Sequence, residues 1–101
     1  MEGSAAMTTL PANLTLREAQ GVLDTLRESF GEADADVWRI DAGAVVQLDT
    51  SALAVLLECA RTAAAGGRRL EILHIPPRLA DLARLYDVDE LLHIEPAPAV
   101  T

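Results

Sequence analysis

The chain has 101 residues, half of them hydrophobic, and 16 acidic against 8 basic residues give a formal net charge of −8 at pH 7. This length allows one domain with its own core, and the hydrophobic content excludes an intrinsically disordered chain. The acidic balance disfavours nucleic acids and anionic membranes as partners, because both are bound through Lys and Arg. The single cysteine, Cys59, cannot form an internal disulfide, and we expect a small buried side chain there rather than a reactive thiol.

The two ends of the chain differ in composition from its middle. Residues 1–6 are small and polar, and residues 96–101 are rich in proline and alanine. We therefore expect a flexible lead over 1–6, a single domain over 7–95 and a flexible tail over 96–101. No apolar run reaches the roughly 18 residues of a membrane span, and the start lacks the regions of a secretion signal. These patterns predict a cytoplasmic protein.

The first predicted elements are a short strand and an amphipathic helix. Met7–Leu10 is a weak strand that Pro11 ends. Thr15 and Glu18 have the spacing of a capping box, in which the hydroxyl and the carboxylate each bind a free backbone N–H. Gly31 ends the helix that follows. Its apolar stripe consists of Leu16, Ala19, Leu23, Leu26 and Phe30.

An acidic loop over 32–36 is followed by two short apolar segments and a second helix. Val37–Ile40 is a predicted strand, and residues 44–48 carry an apolar stretch up to Asp49. The second helix is predicted from about Ser51 to Ala65, with two glycines as its stop. Its core stripe is predicted as Leu53, Leu56, Leu57, Ala60 and Ala64. A second apolar stripe, Ala52, Val55 and Cys59, indicates either contact with a neighbouring helix or an exposed patch for a partner.

The last third of the chain contains its strongest strand pattern, Arg69–Ile75. A third helix is predicted from about Pro77 to Tyr86, since proline is tolerated in the first turn. It should bury Leu79, Leu82, Ala83 and Tyr86, and residues 88–94 should pack the end of the chain. The alternation of strands and helices predicts an α/β fold with a small, mainly parallel sheet of three to four strands and helices packed against it.

Motifs for catalysis, phosphate binding and metal binding are incomplete. The glycine pair at 66–67 lacks the Lys-Ser/Thr ending of a phosphate-binding loop, and the acidic loop lacks the glycine and final glutamate of an EF-hand. His74 and His93 have no partner at metal-ligand spacing, so a structural histidine is expected on the strand at 74. Ser51 lies on a strand-to-helix turn, but the glycines of Gly-x-Ser-x-Gly are missing. We predict a non-enzymatic protein without cofactor or metal.

The turn from Asp49 to Leu53 is the strongest candidate site. Asp49, Thr50 and Ser51 stand at a helix start, where backbone N–H groups lack partners and the helix dipole is positive. Any of the three could simply cap the helix. A phosphate on Thr50 or Ser51 would also be stabilised there, and it would add up to two negative charges to an interface. The residues alone leave both interpretations open.

Two stretches of the chain resemble the STAS domain family. One is Leu-Asp-Thr-Ser-Ala-Leu-Ala-Val-Leu-Leu at 48–57, followed by Gly-Gly-Arg-Arg-Leu at 66–70. The other covers 77–92, whose Leu-Ala-Arg-Leu-Tyr at 82–86 is similar to the MlaB-type branch. The resemblance covers about residues 16–92. It implies a STAS-like fold and a domain that binds other proteins without catalysis.

The resemblance implies two alternative roles. An MlaB-like domain docks on the cytoplasmic ATPase of an ABC-type phospholipid transporter. This ATPase is an MlaF-like subunit in complex with a membrane permease, and the transporter maintains outer-membrane lipid asymmetry. The residue matching its ATPase contact is Thr50. An anti-sigma factor antagonist is instead phosphorylated by a partner kinase, and Ser51 matches that serine.

Departures from the family pattern favour the MlaB-type branch. Ala52 stands where glycine is usual, and its methyl group is expected to crowd a kinase. The usual opening pair of strands is reduced to one weak strand. The protein is thus expected at the inner membrane only through its partner. The implied partner-binding residues are Asp49, Thr50, Ser51, Ala52, Leu53, Val55 and Arg84, with Ser51 and Thr50 as candidate phosphorylation sites.

Overall fold

The computed structural model describes residues 5–32 and 35–92. The predicted tail, His93 and most of the predicted lead lie outside these residues, as does the middle of the acidic loop. The elements of the described part follow in the order β1 (Ala5–Thr9), β2 (Asn13–Leu14), α1 (Leu16–Glu32), β3 (Val37–Asp41), β4 (Gln47–Leu48), α2 (Thr50–Ala65), β5 (Arg69–Leu73) and α3 (Pro77–Leu85). The predicted α/β class is confirmed.

The strands form two small parallel sheets. The first has the order β1-β3-β5, and the second pairs β2 with β4. β1 pairs with β3 over its whole length, from Ala5↔Val37 to Thr9↔Asp41, and β3 pairs with β5 in the same way. Parallel neighbours require long crossover connections, which α1 and α2 supply here. β1 begins two residues earlier than predicted, and only two residues of the apolar stretch at 44–48 form a strand.

The core lies between the helices and one face of the three-stranded sheet. β3 alternates between half-buried and buried side chains, with Trp38 and Ile40 on the covered face. The Trp38 and Phe30 rings stack at 4.6 Å between centroids, and the Arg68 guanidinium carbon lies 5.5 Å from the Trp38 centroid. Aromatic stacking and a cation above the ring add to the burial of the indole. The other face of the sheet is more open, as the exposed Met7 shows.

The buried face of α2 differs from the predicted stripe. Leu53 and Leu56 are buried as predicted, but Leu57 and Ala60 are only half-buried and Ala64 is exposed. The second stripe of Ala52, Val55 and Cys59 is buried instead. The reason is that α2 contacts α1 on one side and α3 on the other as well as the sheet. The second stripe therefore makes contacts within the domain and is not an exposed patch for a partner.

Three predictions at the ends of elements are wrong. Leu16 and Tyr86, both predicted in the core, are 76% and 54% exposed. Leu16 is the first residue of α1 and Tyr86 follows the last residue of α3, so neither side chain reaches the packed layer. β5 ends at Leu73, because His74 takes the left-handed φ of 55°. The His74 ring is exposed beside Asp41 and does not lie on a strand.

Candidate functional site

The Asp49 carboxylate joins the N-termini of two helices. Oδ1 accepts the N–H of Ser51 in α2 at 2.8 Å, and Oδ2 accepts the N–H of Leu16 in α1 at 3.1 Å. Each bond satisfies an N–H that has no partner within its own helix. Capping of α2 by Asp49 was one of the predicted alternatives. The bond to Leu16 was not predicted, because no local spacing indicates a contact between residues so far apart in the chain.

Both bonds favour the charged form of Asp49. The pKa of the carboxyl is lowered, mainly by the Ser51 N–H; desolvation opposes this shift, and the Leu16 N–H lowers the pKa further by a smaller amount. The positive ends of two helix dipoles act in the same direction. The turn therefore carries a fixed negative charge at neutral pH, directly beside the Thr50 and Ser51 side chains.

The predicted capping box of α1 forms only in part. The Glu18 carboxylate accepts the backbone N–H of Thr15 at 2.9 Å, as predicted. The Thr15 hydroxyl donates to the same carboxylate oxygen at 2.6 Å instead of accepting a backbone N–H. These two bonds, the hydroxyl first, lower the pKa of Glu18. The Leu16 N–H, at the first position of α1, lies outside the reach of a capping box and is bound by Asp49.

The residues of the turn differ strongly in exposure. Thr50 is exposed and Ser51 half-exposed, whereas Ala52, Leu53 and Val55 are buried. The Ala52 side chain lies in the core, so the expectation that its methyl group crowds an approaching kinase is wrong. The surface of the turn is thus formed mainly by the two hydroxyl residues.

Two shallow grooves flank this part of α2. The groove toward α3 has a volume of about 430 Å³, with Leu53 and Tyr86 in its lining. The groove toward α1 has a volume of about 180 Å³ and includes Leu16 and Val55. Thr50 borders the first, Ser51 borders the second, and Ala54 borders both. We call this area the turn surface and define it by Leu16, Thr50, Ser51, Ala54 and Tyr86.

Three members of the turn surface, Leu16, Ala54 and Tyr86, were not predicted from the sequence. Leu16 and Tyr86 match the helical apolar stripes, so periodicity assigns them to the core. Their positions at helix ends are the only sequence feature that indicates exposure. Arg84, which the resemblance implied as a contact, is half-buried in α3 and pairs with Asp81 at 3.3 Å. It lines neither of the two grooves.

Within the described residues, the other candidate residues form no second site. Cys59 is buried as predicted, and burial raises the pKa of its thiol to about 11. Over residues 5–32 and 35–92, no group of three or more His, Cys, Asp or Glu side chains is arranged to hold a metal ion. Within the same ranges, the helices are too short or too polar to cross a membrane.

In this fold, the short parallel strand β4 leads through Asp49 into the capped helix α2, whose first turn carries the hydroxyls of Thr50 and Ser51. This is the arrangement of a STAS domain. The family described as "Mlab, STAS domain" matches residues 1–93, and the chain belongs to this family. Among solved structures, a sulfate transporter family protein from Wolinella succinogenes matches with a TM-score of 0.70 and 17% identity over 87% of this chain and 70% of that chain. At this identity the similarity shows the fold alone. A search of curated protein sequences gives no match.

Proposed function

We propose that this chain is a non-enzymatic, MlaB-like subunit that docks on the cytoplasmic ATPase of an ABC-type phospholipid transporter and stabilises or regulates it. Membership of the STAS family supports a role in binding other proteins. The observation that carries the proposal is the turn surface, where the exposed Thr50 borders the groove toward α3 and Ser51 borders the groove toward α1. The protein would then lie at the inner membrane through its partner.

The chemistry of the turn surface suits a protein partner. Leu16 and Tyr86 are large, exposed and apolar, and they lie on opposite sides of the turn. Aromatic residues with apolar surroundings are typical of the centres of interfaces, and a polar group among them fixes the orientation of the partner. Apolar side chains of the ATPase would fill the grooves, while the Thr50 hydroxyl would contact a polar group of the ATPase beside the groove toward α3.

A charge at Thr50 tests this docking. In the Thr50→Arg variant, the long cationic side chain would lie within the proposed interface, so we expect loss of co-purification with the MlaF-like ATPase. The matched control is Ala65→Arg, which places the same side chain on the exposed far end of α2. Both variants should retain the circular dichroism spectrum of the native protein. Normal co-purification of folded Thr50→Arg would refute the proposed interface.

The alternative function is an anti-sigma factor antagonist switched by phosphorylation of Ser51. The half-exposed Ser51 at a helix N-terminus supports it, since a phosphate is stabilised there. The charged Asp49 beside Ser51 opposes it by repulsion. Incubation with the cognate kinase and mass spectrometry would detect one phosphate, and Ser51→Ala should abolish it. A phosphate retained in Ser51→Ala would point to Thr50.

A further inference from the structure

Ala54 lies at the point of α2 that separates the two grooves of the turn surface. Its side chain is exposed and borders both the groove toward α1 and the groove toward α3. Thr50 and Ser51, one turn earlier, are also small, whereas the larger Leu57 and Glu58 follow one turn later. The distance between packed helices depends on the side chains at their contact. The backbone of a partner can therefore approach α2 more closely at Ala54 than further along the helix.

The spacing of the two grooves fits one face of a helix. One groove lies between α2 and α1, and the other lies between α2 and the end of α3. Packed helices are about 8–10 Å apart, so the centres of grooves on the two sides of α2 are separated by about the same distance. Residues seven positions apart lie on one face of a helix, about 10.5 Å apart along its axis. A helix crossing α2 at a steep angle would thus place one side chain in each groove and a residue midway between them over Ala54.

The charges beside the groove toward α3 favour a basic partner. Asp49 is ionised and lies at the start of α2. Asp87 is exposed, stands between the groove residues Tyr86 and Val88, and forms no ion pair with another described residue. The described lining of this groove contains no basic residue. The net charge of −8 attracts a cationic segment over longer distances as well.

The groove toward α1 has a different charge balance. Its one acidic lining residue among those described is Glu58, which pairs with Arg27 of α1 at 2.9 Å and with Arg61 at 2.8 Å. Two arginines therefore compensate this carboxylate, and it offers little attraction to a further cation. The difference between the two grooves gives the crossing helix a direction, with its basic residue on the α3 side.

We propose that the segment of the ATPase that binds the turn surface is a basic amphipathic helix, which crosses α2 at Ala54. Two of its apolar residues, seven positions apart, would lie in the two grooves, and a lysine or arginine would face Asp87. A cation there would also lie near the exposed ring of Tyr86, which attracts it. This inference rests on the proposed docking function and adds the kind of segment that docks and its direction.

Ala54→Leu tests the close approach. Leucine is favourable in a helix, so the fold is kept, but its side chain fills the crossing point. Binding of the purified full chain to the MlaF-like ATPase is measured by isothermal titration calorimetry. We expect Ala54→Leu to bind about tenfold more weakly, and the matched Ala65→Leu, at the exposed far end of α2, to bind like the native protein. Equal affinities of Ala54→Leu and native protein would overturn the crossing at Ala54.

Neutralisation of Asp87 tests the cation of the partner. Asp87 has a left-handed φ of 60°, which asparagine also adopts, so Asp87→Asn keeps the backbone. We expect slower association with the ATPase and a weaker dependence of the rate on salt, measured by surface plasmon resonance from about 50 to 500 mM NaCl. Glu28→Gln removes the same charge from an exposed residue of α1 outside both grooves, and it should change the rate much less. Equal effects of the two variants would overturn the contact with Asp87.

The docking function and the crossing helix can fail separately. If Thr50→Arg abolishes binding while Ala54→Leu and Asp87→Asn bind like the native protein, docking stands and the crossing basic helix is overturned. If the native chain does not bind the ATPase at all, the docking function is refuted together with this inference. Sedimentation velocity of the chain alone tests a third outcome. A native dimer that Ala54→Leu removes would place a second copy on the turn surface and would also overturn the inference.

Discussion

Asp49 binds two backbone N–H groups from different helices, one with each carboxylate oxygen. In Asp49→Asn, one carboxylate oxygen is replaced by an NH₂ group, which is a donor and cannot accept a backbone N–H. One of the two bonds is therefore lost. We expect a lower midpoint of thermal unfolding at pH 7, with the same circular dichroism spectrum. The two helix starts would lose a shared anchor, and the turn surface would become less ordered.

The contribution of Asp49 should depend on pH. Its pKa is lowered in the folded state by the Ser51 and Leu16 N–H groups, so its stabilisation is fully present above the unfolded pKa of about 4. That stabilisation is lost as the pH falls further, through the folded pKa. The difference in melting temperature between native protein and Asp49→Asn should thus shrink over the acidic range, as the pH falls below the unfolded pKa of about 4 and through the lowered folded pKa. A difference that stays constant over this range would contradict the assignment.

Cys59 should behave as an apolar side chain. Burial raises the pKa of its thiol to about 11, so at neutral pH almost no thiolate is available for reaction. We expect a thiol reagent to label the native protein far more slowly than the protein in denaturant. Equal rates in both conditions would show that α1 and α2 separate readily. The sequence was sufficient for this prediction, because one cysteine in an apolar run is usually buried.

At the scale of the element, the presence of the helices and their order along the chain could be predicted better than which of their faces are buried. α1, α2 and α3 all occur where their caps and stops indicated, to within one or two residues. The buried face of α2 could not be predicted, because apolar residues occur on nearly every side of it. Which of them are covered depends on the positions of α1 and α3. Those positions follow from long-range packing and not from periodicity.

Leu56 and Leu57 provide a test of this orientation. They are adjacent in α2 and chemically identical, but Leu56 is fully buried while Leu57 is half-buried beside a groove. Leu56→Ala should lower the free energy of unfolding by about 2–5 kcal/mol, the range for a buried leucine. Leu57→Ala should cost clearly less, because less surface is removed from the core. Urea denaturation of both variants measures the difference, and equal losses would contradict the observed face.

At the scale of the whole molecule, the candidate site combines local and distant residues. Asp49, Thr50 and Ser51 are consecutive, and a helix start with three capping residues could be found from the sequence. Leu16 and Tyr86 are each more than 30 positions away, and only the fold brings them beside the turn. The chemistry of the turn was therefore predictable, while the apolar grooves beside it were not.

The end of the described chain completes the core of the domain. Leu92 lies beyond α3 but is fully buried, whereas its neighbour Leu91 is 63% exposed. The Leu92 N–H donates to the Val88 carbonyl at 3.2 Å, which holds this segment against the core. Leu92→Ala should therefore lower the free energy of unfolding by about 2–5 kcal/mol, and Leu91→Ala should change it by less than about 0.5 kcal/mol. Urea denaturation measures both. A small loss for Leu92→Ala would show that the domain is closed before residue 88, and the segment after α3 would then be an attachment to the fold rather than part of its core.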